Sequence, residues 1–350
     1  MSGRVALIAG ATGLVGRRIA GYFKHLGDWD VIGLCRRPVA DSPIRLIGVD
    51  LTSIEDCNKK LAPLGNVTHV FYAARYDHAE DVSESVDVNA VMLLNVVDAI
   101  EPVAGGLRHI HLVHGSKYYG HHLGPIPLPM REDSPRAPVA NFYFAQEDFI
   151  RGRQRGKSWT FSTARPHMFC DFSWDQPRSI ALLIAVYASI LRELGVPFSY
   201  PGSVKSFHAR TQFTELPLLA RAMIWMATDP RCANQSYNVV NGDAPRWSEL
   251  WPRFAAYFGL QAGPVKPLCL AEYMADKEPV WQAMITKFGL RPTRLSSIVL
   301  WPYGNYVFGP EWDIISDMSK ARADGFTGAV DSENMFCDIF DCLRAEKIIP

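Results

Sequence analysis

The chain has 350 residues, enough for one large domain or two lobes, and its 36 Lys and Arg residues balance its 36 Asp and Glu residues. This balance leaves no net field to attract nucleic acid or an anionic membrane surface, so neither is expected as a partner. A hydrophobic content of 48% with 21% charged residues is typical of a globular protein.

The seven cysteines are scattered and form no CxxC pair, which favours neither a zinc site nor a complete disulfide framework. We therefore expect a cytoplasmic protein with no bound metal. The first strand begins within a few residues of Met1, so no signal peptide is expected. The apolar run from Ile180 to Leu194 is interrupted by Tyr187, Arg192 and Glu193, and is too short to span a bilayer.

The N-terminal segment predicts a dinucleotide site. An apolar run, Val5 to Ala9, reads as a buried strand, and the glycine-rich sequence GATGLVG leads into a helix-like pattern. Gly10 permits the tight turn, Gly13 lets the backbone approach a diphosphate, and Gly16 lets the helix pack on the strand. The diphosphate would bind the N–H groups at the helix N-terminus. The alternative is a tight strand-to-helix turn that binds no dinucleotide. The predicted cofactor contacts here are Gly10, Thr12, Gly13, Leu14, Val15 and Gly16.

The end of the second predicted strand, Asp30 to Cys35, indicates which dinucleotide binds. A cofactor with a free ribose 2′-hydroxyl usually meets an Asp or Glu at this position. The chain has Arg36 and Arg37 instead, two guanidinium groups suited to a 2′-phosphate. This predicts NADP(H) in preference to NAD; the alternative is an ordinary basic surface turn.

Strand-like and helix-like segments then alternate through the first half of the chain. Further strands are predicted over residues 44–50, 68–74, 109–113 and 159–165, and helices from near Ser53, over 86–100 and over 141–153. This alternation predicts an α/β fold of the Rossmann type, a doubly wound parallel sheet.

The second half changes character. A helix over 216–227 and a buried strand over 236–242 are followed by short segments rich in aromatic residues and proline, which predict a smaller, mainly helical C-terminal lobe over the ligand crevice. We expect residues 1–170, with 212–241 returning to them, to form the NADP-binding core. Residues 171–211 and 242–350 would form the substrate-binding lobe.

The candidate catalytic residues depart from a common pattern. Short-chain reductases on this fold pair a Tyr with a Lys four residues later, and the Lys lowers the pKa of the Tyr. Here Tyr143 is followed by Glu147, a carboxylate that would raise the pKa of a nearby phenol. Lys117, directly after the fifth strand, could supply the missing cation from another element. The alternative for Lys117 is a solvated loop lysine, and the alternative for Tyr143 is an aromatic residue that serves only packing.

The sequences HGSKYYG at 114–120 and NFYFAQED at 141–148 together resemble the progesterone 5β-reductase/iridoid synthase group of extended short-chain dehydrogenases. The likeness covers essentially the whole chain, including NVVNGD at 238–243, KEPVW at 277–281 and KIIP at 347–350. It implies an enzyme that reduces the activated C=C bond of an enone with NADPH. The family's lysine and tyrosine fall on Lys117 and Tyr143. Hydride would go to the β-carbon, while the Tyr143 hydroxyl, helped by Lys117, stabilises the enolate.

The resemblance also implies cofactor contacts. Asp50 and Leu51 would flank the adenine, and Ala73 and Ala74 would line the cofactor groove. The end of the sixth strand would bring Pro166, His167 and Met168 to the nicotinamide.

The expected substrate pocket is unusual. Arg75 stands where plant members of the family carry Trp, and would bind a carboxylate or another polar substituent, or pair with Asp77 or Glu80. Phe336 matches a family pocket aromatic, and Phe213, Tyr200 and Phe207 are weaker candidates.

Three other side chains carry less specific signals. His121 and His122 are expected to be histidines of a flexible loop, because no carboxylate or thiol nearby completes a metal site. Ser116 is a further candidate for polarising a carbonyl.

Two other functions remain open. The first is a carbonyl reductase or sugar epimerase of the same fold, which would ordinarily keep the YxxxK lysine. The second is a non-catalytic, NADP-binding redox sensor. We expect a small-molecule enone as the substrate and leave a homodimer open.

Overall fold

The structure, a computed structural model, describes residues 3–76 and 85–350. Within them the main sheet has seven parallel strands in the order β3-β2-β1-β4-β5-β6-β9, and β7 pairs with β8 in a separate two-stranded sheet. The strands are β1 (Arg4–Ala9), β2 (Trp29–Cys35), β3 (Arg45–Gly48), β4 (His69–Tyr72), β5 (His109–Val113), β6 (Thr160–Pro166), β7 (Phe169–Cys170), β8 (Thr214–Glu215) and β9 (Gln235–Val239).

The helices flank the sheet and build most of the C-terminal half. They are α1 (Leu14–Leu26), α2 (Ile54–Leu61), α3 (Val86–Ile100), α4 (Phe142–Gln154), α5 (Ile180–Leu194), α6 (Val204–His208), α7 (Leu216–Thr228), α8 (Trp247–Tyr257), α9 (Leu270–Tyr273), α10 (Glu278–Phe288), α11 (Leu295–Ile298), α12 (Trp301–Val307), α13 (Ser319–Ala323) and α14 (Ser332–Ala345). Two 3₁₀ turns, Ser116–Tyr119 and Pro230–Cys232, complete the described elements.

The sheet is covered on both faces, as the alternating side chains of β1 show. Ala6 and Ile8 pack into a core with α1 and α7, whereas Val5 and Leu7 pack into a second core with α2 and α3. Successive side chains of a strand point to opposite faces, so a strand buried on both faces is apolar throughout. The predicted fold class, a doubly wound Rossmann sheet with a mainly helical C-terminal region, is confirmed.

The predicted bounds agree best for α3 and β5, and least for β9. The chain leaves the sheet after Val239, because the Val240 amide donates to Met318 Sδ and the Asn241 amide to the Phe213 carbonyl. Val240 and Asn241, which the prediction places in the strand over 236–242, therefore make their hydrogen bonds outside the ladder.

The C-terminal region has its own hydrophobic core around α5, whose residues from Ile180 to Leu191 are buried on every side. A helix that is apolar all round is stable only when it is fully enclosed. The predicted division into core and lobe stays a prediction. Met318, Ala321 and Phe326, which it assigns to the lobe, pack on the core that contains α1 and α7.

All seven cysteines are free. Among the described helices, none has both the length and the apolar character needed to cross a bilayer. A cytoplasmic location and a homodimer remain predictions.

Three histidines are buried inside the sheet. His109 shares hydrogen bonds with Thr160 (2.8 Å) and Ser162 (2.7 Å), and His111 shares one with Ser162 (2.8 Å). Burial lowers the pKa of His111 to about 3 and that of His69 to about 4, and takes the pKa of His109 well below its usual value. These rings are therefore neutral in the folded protein at pH 7.

The buried histidines predict an acid-sensitive fold. Between about pH 6.5 and pH 4 the unfolded chain binds protons that the folded chain refuses, so the free energy of unfolding should fall as the pH falls. Each such histidine contributes at most about 1.4 kcal/mol per pH unit. In urea unfolding at pH 7 and pH 5, His69→Gln should show a shallower pH dependence. The exposed-site control, His25→Gln, should keep the slope of the parent protein; equal slopes for both variants would contradict the prediction.

Candidate active site

A cleft of about 990 Å³ lies at the carboxyl ends of the strands of the main sheet. In a doubly wound sheet this edge is where ligands bind, beside the point at which the strand order reverses. The reversal here falls between β1 and β4. The predicted site residues that line the cleft are Gly10, Thr12, Gly13, Leu14, Val15, Arg36, Arg37, Asp50, Leu51, Ala73, Ala74, Arg75, Lys117, Tyr143, Pro166, His167 and Met168.

The glycine turn forms one end of the cleft. Gly10 has φ +80°, and a Cβ on it would lie 2.9 Å from the Ala73 carbonyl oxygen. A Cβ on Gly16 would overlap the Gly10 carbonyl oxygen, so this glycine does not line the cleft but lets α1 approach β1. Gly13 is the N-cap of α1 and has no side chain to occupy the first-turn amides. The turn therefore has space for a diphosphate against backbone N–H groups.

The end of β2 places charge at the rim of the cleft. Arg36 and Arg37 are exposed there, next to Asp50 and Thr52. Asp50 accepts hydrogen bonds from the Thr52 hydroxyl (2.7 Å) and amide (2.9 Å), and these bonds, with a smaller contribution from Arg36, lower the pKa of its carboxyl. A phosphate bound here would meet two guanidinium groups.

Tyr143 lies near the N-terminus of α4, where its position is fixed from three sides. The Asn141 side chain caps the helix by accepting from the Tyr143 amide at 2.9 Å. The His114 ring stacks on the phenol at a centroid distance of 4.8 Å. The hydroxyl lies 3.0 Å from the point that a Cβ of Gly115 would occupy, so this glycine admits it to the end of β5.

Lys117 enters the same cleft from the 3₁₀ turn after β5. It is half-buried, and its ammonium lies 5.2 Å from the centroid of the Tyr306 ring, within reach of a cation–π contact. Lys117 and Tyr143, from two separate elements, thus both line this cleft.

Glu147, at the position where YxxxK enzymes have lysine, is bonded elsewhere. It is buried and accepts from the Tyr118 hydroxyl (2.7 Å) and from Arg151 (2.8 Å), and Arg165 lies 3.5 Å away. Burial would raise the pKa of Glu147, but these hydrogen bonds and charges outweigh it and lower the pKa to about 2. The carboxylate therefore anchors the turn that carries Lys117 by holding the neighbouring Tyr118.

The histidine loop differs from the expectation of flexibility. His121 is 3% exposed, shares a hydrogen bond with Ser116 (3.0 Å), and its carbonyl accepts from the Trp312 indole (2.9 Å). The prediction of a flexible loop is wrong for this residue, because Trp312 and Ser116 hold it from both sides. Among the described residues no three His, Cys, Asp or Glu side chains are placed to hold a metal ion.

Two predicted pocket residues do not reach the cleft that the described residues form. Phe213 and Phe336 are fully buried in the core around α5, packed edge to face with centroids 4.9 Å apart. Tyr200 is likewise enclosed in that core, and Phe207 packs against it at the core's edge. An aromatic residue in a sequence does not reveal whether its ring faces a cavity or a core.

Arg75 does line the cleft, on the wall that also contains Arg178 and Tyr303. Its predicted partners Asp77 and Glu80 lie outside the described residues.

The structure also adds residues that the sequence did not single out. Tyr303, Tyr306 and Val307, all from α12, close the cleft from the C-terminal region. The aromatic spacing of three along a short helix was the available signal, since it places Tyr303 and Tyr306 on one face. Nothing in the sequence indicated that this face turns toward the sheet.

The sheet order, the glycine turn and the covering helical lobe together define an extended short-chain dehydrogenase fold. Two solved structures show this architecture over nearly the full length of the chain. UDP-N-acetylglucosamine 4-epimerase from Bacillus cereus has a TM-score of 0.68 at 17% identity and covers 99% of both chains. UDP-glucose 4-epimerase from Thermus thermophilus, solved as a complex with NAD, has a TM-score of 0.67 at 16% identity and covers 97% of this chain and 99% of its own. At such identities the likeness shows the fold alone.

Sequence comparison specifies the family. Residues 46–350 match the PRISE-like Rossmann-fold domain, and the chain belongs to that family. It is 36% identical to the 3-oxo-Delta(4,5)-steroid 5-beta-reductase of Arabidopsis thaliana, and 33% identical to the (S)-8-oxocitronellyl enol synthase of Catharanthus roseus. These matches cover 99% of this chain and 93% and 92% of the relatives. A short chain dehydrogenase of Penicillium aethiopicum is 34% identical, with 99% of both chains covered. The predicted resemblance is thereby confirmed.

The glycine turn yields a test with a matched control on the same helix. Gly16→Ala places a methyl group against the Gly10 carbonyl, so α1 must move away from β1, and dinucleotide affinity should fall at least about tenfold. Gly21→Ala meets nothing within 4 Å, and should keep the affinity while raising stability by about 0.5–1 kcal/mol. Fluorescence titration with NADPH and urea unfolding would measure both effects. Unchanged affinity in Gly16→Ala would contradict the assignment of the turn.

Proposed function

We propose that this protein reduces the C=C bond of α,β-unsaturated carbonyl compounds with NADPH. The observation that supports the proposal is that Lys117 and Tyr143, from separate elements, both line the cleft that begins at the glycine turn. The relatives support it: a 3-oxo-Δ(4,5)-steroid is by its name a ketone conjugated to a double bond.

The residues present fit the cofactor. Gly13, the N-cap of α1, has no side chain over the first-turn amides, so a diphosphate can approach their N–H groups. Arg36 and Arg37 would bind the 2′-phosphate, with Asp50 and Leu51 beside the adenine. Ala73 and Ala74 would line the groove, and Pro166, His167 and Met168, which follow β6 into the cleft, would border the nicotinamide.

The chemistry then follows from charge. Bound NADPH supplies a hydride to the β-carbon of the substrate. Negative charge develops on the carbonyl oxygen as the enolate forms, and the Tyr143 hydroxyl donates a hydrogen bond to that oxygen. The Lys117 ammonium adds positive charge at the same wall. Because the Asn141 cap and the His114 stack already hold the phenol, little reorganisation is needed as the charge appears. Water can protonate the α-carbon.

The substrate side of the cleft is partly polar. Tyr303 and Val307 supply apolar surface, whereas Arg75 and Arg178 supply charge. We therefore expect small enones that carry a polar substituent, and do not assign a steroid.

Removing the catalytic phenol is the direct test. Tyr143→Phe should lower kcat on an accepted enone about 10²–10³-fold, the usual cost of losing one donor to a developing oxyanion. Lys117→Met should also lower kcat strongly. Tyr303→Phe removes a different phenol from the same cleft and should cost less than about tenfold. Undiminished turnover by the Tyr143→Phe, Lys117→Met double variant would contradict the proposal.

Product analysis by mass spectrometry or NMR distinguishes the rival reactions. A saturated ketone from a cyclic enone supports hydride transfer to the β-carbon, whereas an allylic alcohol would show carbonyl reduction. NADPH binding without turnover on any member of an enone panel would favour the sensor.

The two arginines predict cofactor preference. Arg36→Ala and Arg37→Ala together remove both guanidinium groups that would bind the 2′-phosphate, so KM for NADPH should rise about 10–100-fold. NADH lacks that phosphate and serves as the internal control: its KM should change little. A parallel rise in both KM values would show that the arginines support the cleft generally and do not select the phosphate.

A further inference from the structure

A second cavity of about 240 Å³ adjoins the cleft and shares a wall with it. The shared wall consists of His121, His167, Met168, Tyr306 and Val307. The rest of the second cavity, here called the inner chamber, includes much apolar surface from Trp247, Pro310, Trp312 and Ile314. Neither the glycine turn nor the end of β2 contributes to it. The inner chamber is therefore separate from the predicted cofactor contacts at that end of the cleft.

Two histidines of the shared wall are joined by one hydroxyl. Ser116 Oγ lies 2.6 Å from Nδ1 of His167 and 3.0 Å from Nε2 of His121. All three side chains are at least nine-tenths buried, and the two rings meet edge to face with centroids 4.9 Å apart. The other ring nitrogens, Nε2 of His167 and Nδ1 of His121, are buried without a hydrogen-bond partner. Buried polar atoms normally have a protein or water partner, so two such nitrogens on side chains that line a cavity wall point to a missing partner.

Both rings are neutral at pH 7. Burial lowers the pKa of His167 to about 4, and burial together with neighbouring positive groups lowers the pKa of His121 well below its usual value. A neutral imidazole has one N–H donor and one acceptor nitrogen.

Because Ser116 has a single hydroxyl proton, the two rings take opposite hydrogen-bonding roles toward it. If both rings donated to Ser116, its own proton would lack an acceptor within this pair, and an unsatisfied buried donor is costly. Ser116 therefore donates to one ring and accepts from the other. The ring that accepts has its proton on the outer nitrogen, and the ring that donates has its outer nitrogen bare. The two outer nitrogens of the pair are thus one donor and one acceptor.

We propose that the Ser116-linked pair of His121 and His167 binds a hydroxyl group of the substrate, on a part of the molecule that extends from the enone into the inner chamber. A hydroxyl both donates and accepts, as this pair requires, whereas a carboxylate or ketone only accepts and an ammonium only donates. The inference rests on the proposed enone reduction and narrows its substrates to hydroxylated enones.

The test compares two enones that differ by one hydroxyl, with the ratio of their kcat/KM values as the readout. His167→Asn keeps a group in the place of Nδ1 for Ser116 and loses Nε2. His121→Gln keeps a group in the place of Nε2 and loses Nδ1. Each variant should reduce the preference for the hydroxylated enone about tenfold, as expected for one lost hydrogen bond. Thr211→Val removes a different hydroxyl group from the inner chamber and should leave the ratio unchanged.

The inference would be overturned if the parent protein showed no preference for the hydroxylated enone over a series of hydroxyl positions, or if both histidine variants kept the kcat/KM ratio of the parent. A raised Kd for NADPH with an unchanged kcat/KM ratio would also overturn it, because it would assign the pair to the nicotinamide. If no enone is turned over at all, the proposed function itself fails, so the two failures are distinguishable.

A spectroscopic readout needs no turnover. Long-range ¹H–¹⁵N spectra of the protein should show one tautomer for both His121 and His167, with the proton on Nδ1 of both rings or on Nε2 of both rings. In atom names, the two rings share the same tautomer label, because Ser116 meets Nδ1 of one and Nε2 of the other. Ser116→Ala should remove this coupling and let the tautomers mix. Different tautomer labels for the two rings in the parent protein would overturn the inference.

Discussion

The candidate site depends on a close approach between a helix and the end of a strand. Because residue 115 is glycine, the Tyr143 hydroxyl can lie 3.0 Å from the point where any other residue would carry its Cβ. The approach brings the phenol of α4 beside the turn that begins at Ser116 and carries Lys117. A side chain on residue 115 would separate the two groups whatever their own conformations. Two elements distant in the chain thereby act as one wall.

A buried cluster of opposite charges around Glu147 supports the turn that carries Lys117. Glu147, one helical turn after Tyr143, has its carboxylate bound by Tyr118 and surrounded by arginines. The guanidinium of Arg165 lies 3.5 Å from the centroid of the Tyr118 ring, so the same aromatic residue contacts both signs of charge. A buried ion pair is stabilising only when hydrogen bonds satisfy its remaining atoms, as they do for this carboxylate. The cluster occupies the space in which a YxxxK lysine would lie. Through Tyr118 it instead holds the turn that carries Lys117.

The sequence was sufficient to predict the sheet and which residues line the glycine-turn end of the cleft, because local patterns determine both. Apolar strands, a glycine turn and a helix start each depend on residues close together in the chain, and the carboxyl ends of parallel strands meet at one edge. The predicted convergence of Lys117 and Tyr143 at one cleft follows from the same rule. The aromatic side of the pocket could not be predicted in this way. Phe213 and Tyr306 are both aromatic residues of the second half of the chain, and only the packing of that region decides that one enters the core and the other lines the cleft.

The short helix α12 borders both cavities but lies outside the sheet. It has seven residues, and Tyr306 and Val307 border both cavities. A Cβ on Gly10 or Gly16 of the glycine turn would meet backbone atoms, whereas Tyr306 and Val307 of α12 line the cavities without belonging to the sheet. Substitutions at these two positions would therefore reshape both cavities at once while leaving the sheet and the glycine turn in place.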